Sequence, residues 1–112
     1  MDESNFLIIA DDALQSLHNQ LEEELADHID AELDSGVLTL KLETGQEYVI
    51  NRHLPNRQIW MSSPLSGGIH FNYLEESGRW VSARDKTIFL RTLLASELGQ
   101  LTGVPFFFDH SQ

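Results

Sequence analysis

Near its start this 112-residue chain changes the spacing of its apolar residues, and that change constrains the fold more than any other feature. From Ser4 to about Ala26, residues Phe6, Ile9, Ala10, Ala13, Leu14, Leu17, Leu21 and Leu25 recur at three- and four-residue intervals. That is the single stripe of an amphipathic helix. Ser4 is the expected N-cap, and the early acids suit the positive end of the helix dipole. From Ile29 the period falls to two. Ile29, Ala31 and Leu33 alternate with Asp30, Glu32 and Asp34, giving a strand with one apolar face and one acidic face. Ser35-Gly36 turns the chain into a second strand with Leu38, Leu40 and Leu42 inward, and Thr44-Gly45 turns it again. Gln46–Asn51, Arg57–Ser62, Ile69–Tyr73 and Arg79–Ser82 read as further strands, separated by Pro55-Asn56, the loop Pro64–Gly68 and Glu76-Ser77-Gly78. Asp85 is the expected cap of a second helix from Thr87 to about Leu101, apolar along Phe89, Leu90, Leu93, Leu94, Leu98 and Leu101, and ended by Gly103. The tail Val104–Phe108 is too apolar to stay in water and is expected to pack on the domain.

One helix, about six meandering strands and one helix make an α+β fold. Because the strands alternate in polarity, both helices belong on one face of an antiparallel sheet, with the other face open. The length suits one compact domain over residues 1–112.

Charge is distributed very unevenly. The first basic side chain is Lys41, and 11 acids precede it; from Lys41 onward 7 Lys or Arg balance 7 acids. The whole net charge of −11 therefore belongs to the first third. Such a surface repels phosphate backbones, which excludes nucleic acid as a partner and leaves cations or a basic protein surface. The apolar runs are too short to span a bilayer, so no membrane role is expected. The acidic Met1-Asp2-Glu3-Ser4 start fits neither a secretory nor a mitochondrial leader, so a cytoplasmic, most simply bacterial, chain is expected. No cysteine is present, so any metal must be held by oxygen ligands and the five histidines.

The acids concentrate where helix gives way to strand: Glu22, Glu23, Asp27, Asp30, Glu32 and Asp34, with His28 among them and no Lys or Arg between. Carboxylates with one imidazole suit iron, manganese or cobalt, held openly and loosely. The same run also reads as a solvated face and a charge-guarded edge strand. His18 stands one turn before Glu22, a spacing at which the two can share a metal. The acids lie on outward faces, which argues against a buried multi-carboxylate oxidase site and against an enzyme. A second constellation lies in Gln58-Ile59-Trp60-Met61-Ser62. With Ile59 and Met61 inward, Trp60 falls on the open face among Asn51, Gln58 and His70, either as a docking anchor or simply half-buried. His53 and His110 read as loop and tail residues.

The run Asn51–Gly68, with Gln58-Ile59-Trp60-Met61-Ser62-Ser63-Pro64 at its centre, resembles the frataxin family in its short bacterial form. So do Gly36-Val37-Leu38, Trp80-Val81, the acidic first helix and strand, and the closing amphipathic helix. The resemblance covers essentially the whole chain. It implies a two-layer α/β sandwich, iron held along the acidic ridge, and a regulatory or iron-delivering role in iron–sulfur cluster assembly. It implies a cysteine desulfurase and an iron–sulfur scaffold protein as partners, and a monomer that iron can assemble further. Carried over by position, the ridge falls on Glu22, Glu23, Asp27, Asp30 and Glu32, and the docking surface on Asn51, Gln58 and Trp60, with His70 and Asp34 expected as further docking residues. Ala26 and His28 stand where relatives often carry further acids, and His70 where some carry Arg.

Overall fold

The computed structural model describes residues 1–108. Its elements are α1 (Glu3–Glu24), β1 (Ile29–Asp34), β2 (Val37–Leu42), β3 (Glu47–His53), β4 (Gln58–Ser63), β5 (Gly67–Leu74), β6 (Arg79–Ser82) and α2 (Leu90–Thr102). The six strands form one antiparallel sheet in sequential order, β1 to β6. Each connection is a hairpin, so the register of every strand is inherited from the turn before it. The β1–β2 turn shows how tightly that is set: Ser35 and Gly36 both take positive φ, 51° and 80°. A side chain at Gly36 would also run into the Arg52 guanidinium, which crosses the turn to bind Asp11 of α1 at 2.7 Å.

The core lies between the sheet and the two helices. Phe6, Ala10, Leu14, Leu17 and Leu21 of α1 are buried against Leu38, Leu40, Ile50, Ile59, Met61 and Phe71 of the sheet. Leu90, Leu94, Ala95 and Leu98 bury the inner side of α2. The opposite sheet face is uncovered, as the alternation requires. Among the described residues no helix is long and apolar enough to cross a membrane.

Several boundaries differ from expectation, each for a local reason. Asp2, not Ser4, caps α1: its Oδ1 accepts from the Asn5 backbone N–H at 2.8 Å. The helix ends at Glu24, with Leu25 closing the last turn and remaining buried. β5 starts at Gly67, inside the expected loop. Asp85 does not cap α2. Its carboxylate accepts from both the backbone N–H and the hydroxyl of Thr87, at 2.9 and 2.6 Å, and these bonds hold its carboxyl below the usual range. The chain then stays extended so that Phe89 can pair with Val81, and α2 begins only at Leu90. In the tail, Phe106 is buried but Phe107 is 81% exposed, so the segment packs only in part. His110 lies outside the described residues.

Candidate functional site

The acids of the helix-to-strand junction lie at the surface, and a cation stands among them. Glu22, Glu23, Asp27, Asp30 and Glu32 are all exposed. Glu22 at the end of α1, Asp27 in the turn, and Asp30 on β1 rim one open hollow of about 430 Å³, together with His28, Lys41 and Glu43. The hairpin register explains this, since it sets Lys41 directly opposite Asp30. A cation thus sits inside a patch that is unmixed along the sequence. Arg52 likewise takes Asp11, and Arg57 lies 3.8 Å from Glu3. Glu23 and Glu32 do not border the hollow.

The histidines make pairs, not cages. His18 Nε2 lies 3.9 Å from Glu22 Oε1, with its Nδ1 3.3 Å from Asn19 Oδ1. His28 turns to Glu43, Nδ1 to Oε1 at 3.3 Å, rather than to Asp27 or Asp30. Among the described residues no three His, Asp or Glu side chains converge as a ready ligand set. Any ion held here keeps much of its water, since an open site supplies too few protein ligands to complete its shell.

The open sheet face is more ordered. Successive hairpin registers place Asp34 beside Val37, Val37 beside Asn51, Asn51 beside Trp60, and Trp60 beside His70. Four of the five expected docking residues therefore form one row across five strands. The fifth, Gln58, lies in the next row between His53 and Asn72. Trp60 is clamped between two imidazoles. His53 stacks on one side with centroids 3.6 Å apart, and His70 on the other at 4.1 Å; both rings lie within 10° of parallel to the indole. The indole N–H donates to Gln58 Oε1 at 2.8 Å, and the Gln58 amide donates to Asn72 Oδ1 at 2.9 Å. A large aromatic held this rigidly presents its edge with little entropy left to lose on binding.

His53 is thus not a loop residue but the last of β3 and one wall of the clamp. Period two from Asn51 puts it on the same face, and that signal was available in the sequence. Val37, 38% exposed between Asp34 and Asn51 in the row, and Glu43 at the hollow could be found only through the cross-strand register.

Behind the row a buried carboxylate joins α2 to the sheet. Glu97 is 5% exposed, and Tyr48 Oη of β3 and Ser63 Oγ of β4 both donate to its Oε1 at 2.6 Å. That spacing is typical of hydroxyl-to-carboxylate bonds. Ser63 Oγ in turn accepts from the backbone N–H groups of Leu65 and Ser66, both at 3.0 Å, and so shapes the loop after β4. Burial, and then the Glu97 bond, push the Tyr48 phenol well above its ordinary pKa of 10.0. In the unfolded chain Tyr48 therefore ionises first. The unfolded state then binds fewer protons, and stability falls as pH rises above the unfolded value. The slope should reach about 1.4 kcal/mol per pH unit. Denaturant melts between pH 9 and 12 on the native chain and on Tyr48→Phe measure it: the difference between the two curves should carry this slope, and parallel curves would remove the assignment.

Comparisons with known proteins agree with this geometry. A family model described as a frataxin-like domain matches residues 1–104. The chain is 36% identical over 107 residues to a protein of Pseudomonas fluorescens named iron-sulfur cluster assembly protein CyaY, covering 96% of this chain and 94% of that one. It is 37% identical to the mitochondrial frataxin homolog of Schizosaccharomyces pombe, covering 93% of this chain and 68% of the relative. Among solved structures it matches the frataxin of Psychromonas ingrahamii with a TM-score of 0.87 and 28% identity, over 98% of this chain and all of that one. A trimeric frataxin of the yeast Saccharomyces cerevisiae, solved in a ferrous complex, matches with a TM-score of 0.76 and 41% identity, over 85% and 86% of the two chains. The match of the family model over nearly the whole chain, with these relatives and this shared fold, shows that the chain belongs to the frataxin-like family.

Proposed function

We propose that this protein binds iron loosely at its acidic ridge and serves iron–sulfur cluster assembly, without catalysis of its own, as a regulator or iron donor. Iron is its cargo. The observation that carries this reading is that Glu22, Asp27 and Asp30 rim one open hollow, beside the Glu43–His28 pair. Hard carboxylate oxygens with one imidazole suit ferrous or ferric ion, and an unclosed site lets a transient cargo leave again. The aromatic row supplies the anchor for a partner, taken as the cysteine desulfurase or the scaffold protein. The ridge is contiguous with that row through Asp34, on the same face of β1 as Asp30 and Glu32. The free protein is read as a monomer that iron drives into larger assemblies.

Ferrous titration by calorimetry under anaerobic conditions tests the ridge. A variant with Glu22, Glu23, Asp27, Asp30 and Glu32 neutralised to amides should bind Fe(II) at least about tenfold more weakly, several ligands being lost at once. Most of that loss should come from Glu22, Asp27 and Asp30; unchanged binding sinks the ridge assignment.

A second reading draws on the lack of any three converging ligands among the described residues. In it the ridge is only a docking surface for a basic partner, and metal binding is incidental. Pull-down of the partner with and without chelator separates the two. Chelator-insensitive capture that collapses in salt favours the second.

A further inference from the structure

Far from ridge and sheet face, α2 and the tail enclose a groove of about 570 Å³, within the size range of small-molecule sites. Its floor is α2, where Ser96 is exposed and the neighbouring Ala95 and Gly99 are small, and its wall is aromatic, from Phe106 to Phe108. Phe106 and Phe108 meet edge to face with centroids 4.7 Å apart, and Phe107 stands 81% exposed beside them. Arg79 and Arg91 also line the groove, both near the start of α2. The Arg79 guanidinium lies 3.5 Å above the Phe89 ring, and among the described residues no carboxylate pairs with it. Arg91 reaches Gln20 Oε1 at 3.4 Å and sits 5.6 Å from the Phe108 ring centre. Phe89 caps α2 without a side-chain bond, and the first turn of α2 holds no acid, so the helix dipole adds positive potential at the same place.

We propose that this groove binds a single-chain amphiphilic anion, a free aliphatic carboxylate, with its chain along the aromatic wall and its head group at Arg79. The apolar groove calls for a hydrocarbon tail, and the Arg79 guanidinium defines the sign of the head. A planar guanidinium meets a carboxylate with two parallel hydrogen bonds. The aromatic surface that Phe107 leaves in water is covered by the bound chain.

The protein's own charge makes the test sharp. At a net −11 the molecule as a whole attracts cations and repels anions, so preference for an anionic amphiphile must arise locally. Calorimetric titration of the full chain with laurate, below its micelle threshold, should give one site. Dodecyltrimethylammonium, with the same tail and the opposite head, should bind at least about tenfold more weakly, because the charge-assisted hydrogen bonds are lost. Arg79→Gln should weaken laurate at least about tenfold by removing one fork of donors. Ser96→Trp, at an exposed helix position, should fill the groove and abolish binding with the melting temperature kept. Amide shifts on adding laurate should map to α2 and to Pro105–Phe108. No laurate site, equal affinity for the cationic amphiphile, native-like binding by both variants, or shifts located elsewhere would each overturn the proposal.

Discussion

Trp60→Ala should lower affinity for a partner on the sheet face by about thirtyfold or more and leave the fold standing. Buried aromatic anchors at the centre of a docking patch typically account for 2 kcal/mol or more each, and about 1.4 kcal/mol is a factor of ten. Trp60 meets the structural requirements of an anchor. It stands mid-row between Asn51 and His70, its ring is fixed by two imidazoles, and its N–H is already satisfied by Gln58. Truncation removes the anchor and also frees both histidines, so the loss should exceed that of His53→Ala or His70→Ala alone. Trp60→Phe should recover part of the affinity, because a ring remains for the imidazoles to clamp. The core lies on the other side of the sheet, so the melting temperature of Trp60→Ala should move by only a few degrees, the size of a surface change. Calorimetry against the scaffold protein and against the cysteine desulfurase measures the first effect, and thermal melts the second. Undiminished affinity for both partners would remove Trp60 from the interface.

The largest single loss of stability outside the apolar core should follow Glu97→Ala. That change leaves the Tyr48 hydroxyl buried without its partner and opens a void between α2 and the sheet. An orphaned buried polar group costs about 1–3 kcal/mol, and the cavity adds to it, so a total near 3 kcal/mol is expected. For a domain of this size that lowers the melting temperature by about 15 °C. Glu97→Gln keeps an acceptor oxygen in place and should lose roughly half as much. Ser63 also accepts from Leu65 and Ser66, so it stays anchored while its bond to α2 is lost. A drop under a few degrees in Glu97→Ala would mean that water replaces the carboxylate at no cost.

The sandwich was legible because its signals were redundant. The stripe Phe6, Ala10, Leu14, Leu17, Leu21 admits one helix, and the alternation Leu38, Leu40, Leu42 admits one inward face. The α2 boundary was misread because Asp85 is a good cap that a local bond to Thr87 had already taken, and the Val81–Phe89 pairing that delays the helix is invisible along the chain. Which side chains share the open face followed from period two, but which of them stand in one row did not. The alignment of Asp34, Val37, Asn51, Trp60 and His70 depends on four hairpin registers at once. The dilution of the ridge by Lys41 was hidden for the same reason: a cross-strand neighbour is not a sequence neighbour.

That dependence on four registers has a consequence for quality control. A slip of one residue in any hairpin would turn every later side chain to the opposite face. A slip between β3 and β4 alone would replace Trp60 with an apolar neighbour and send the indole into the core. The row therefore exists only on a chain whose first five strands have all paired correctly, so a partner that gripped it would inspect those five strands through one line of contacts. On the function proposed above, a copy with a slipped β3–β4 register would keep the acids of α1 and β1 but present no such row.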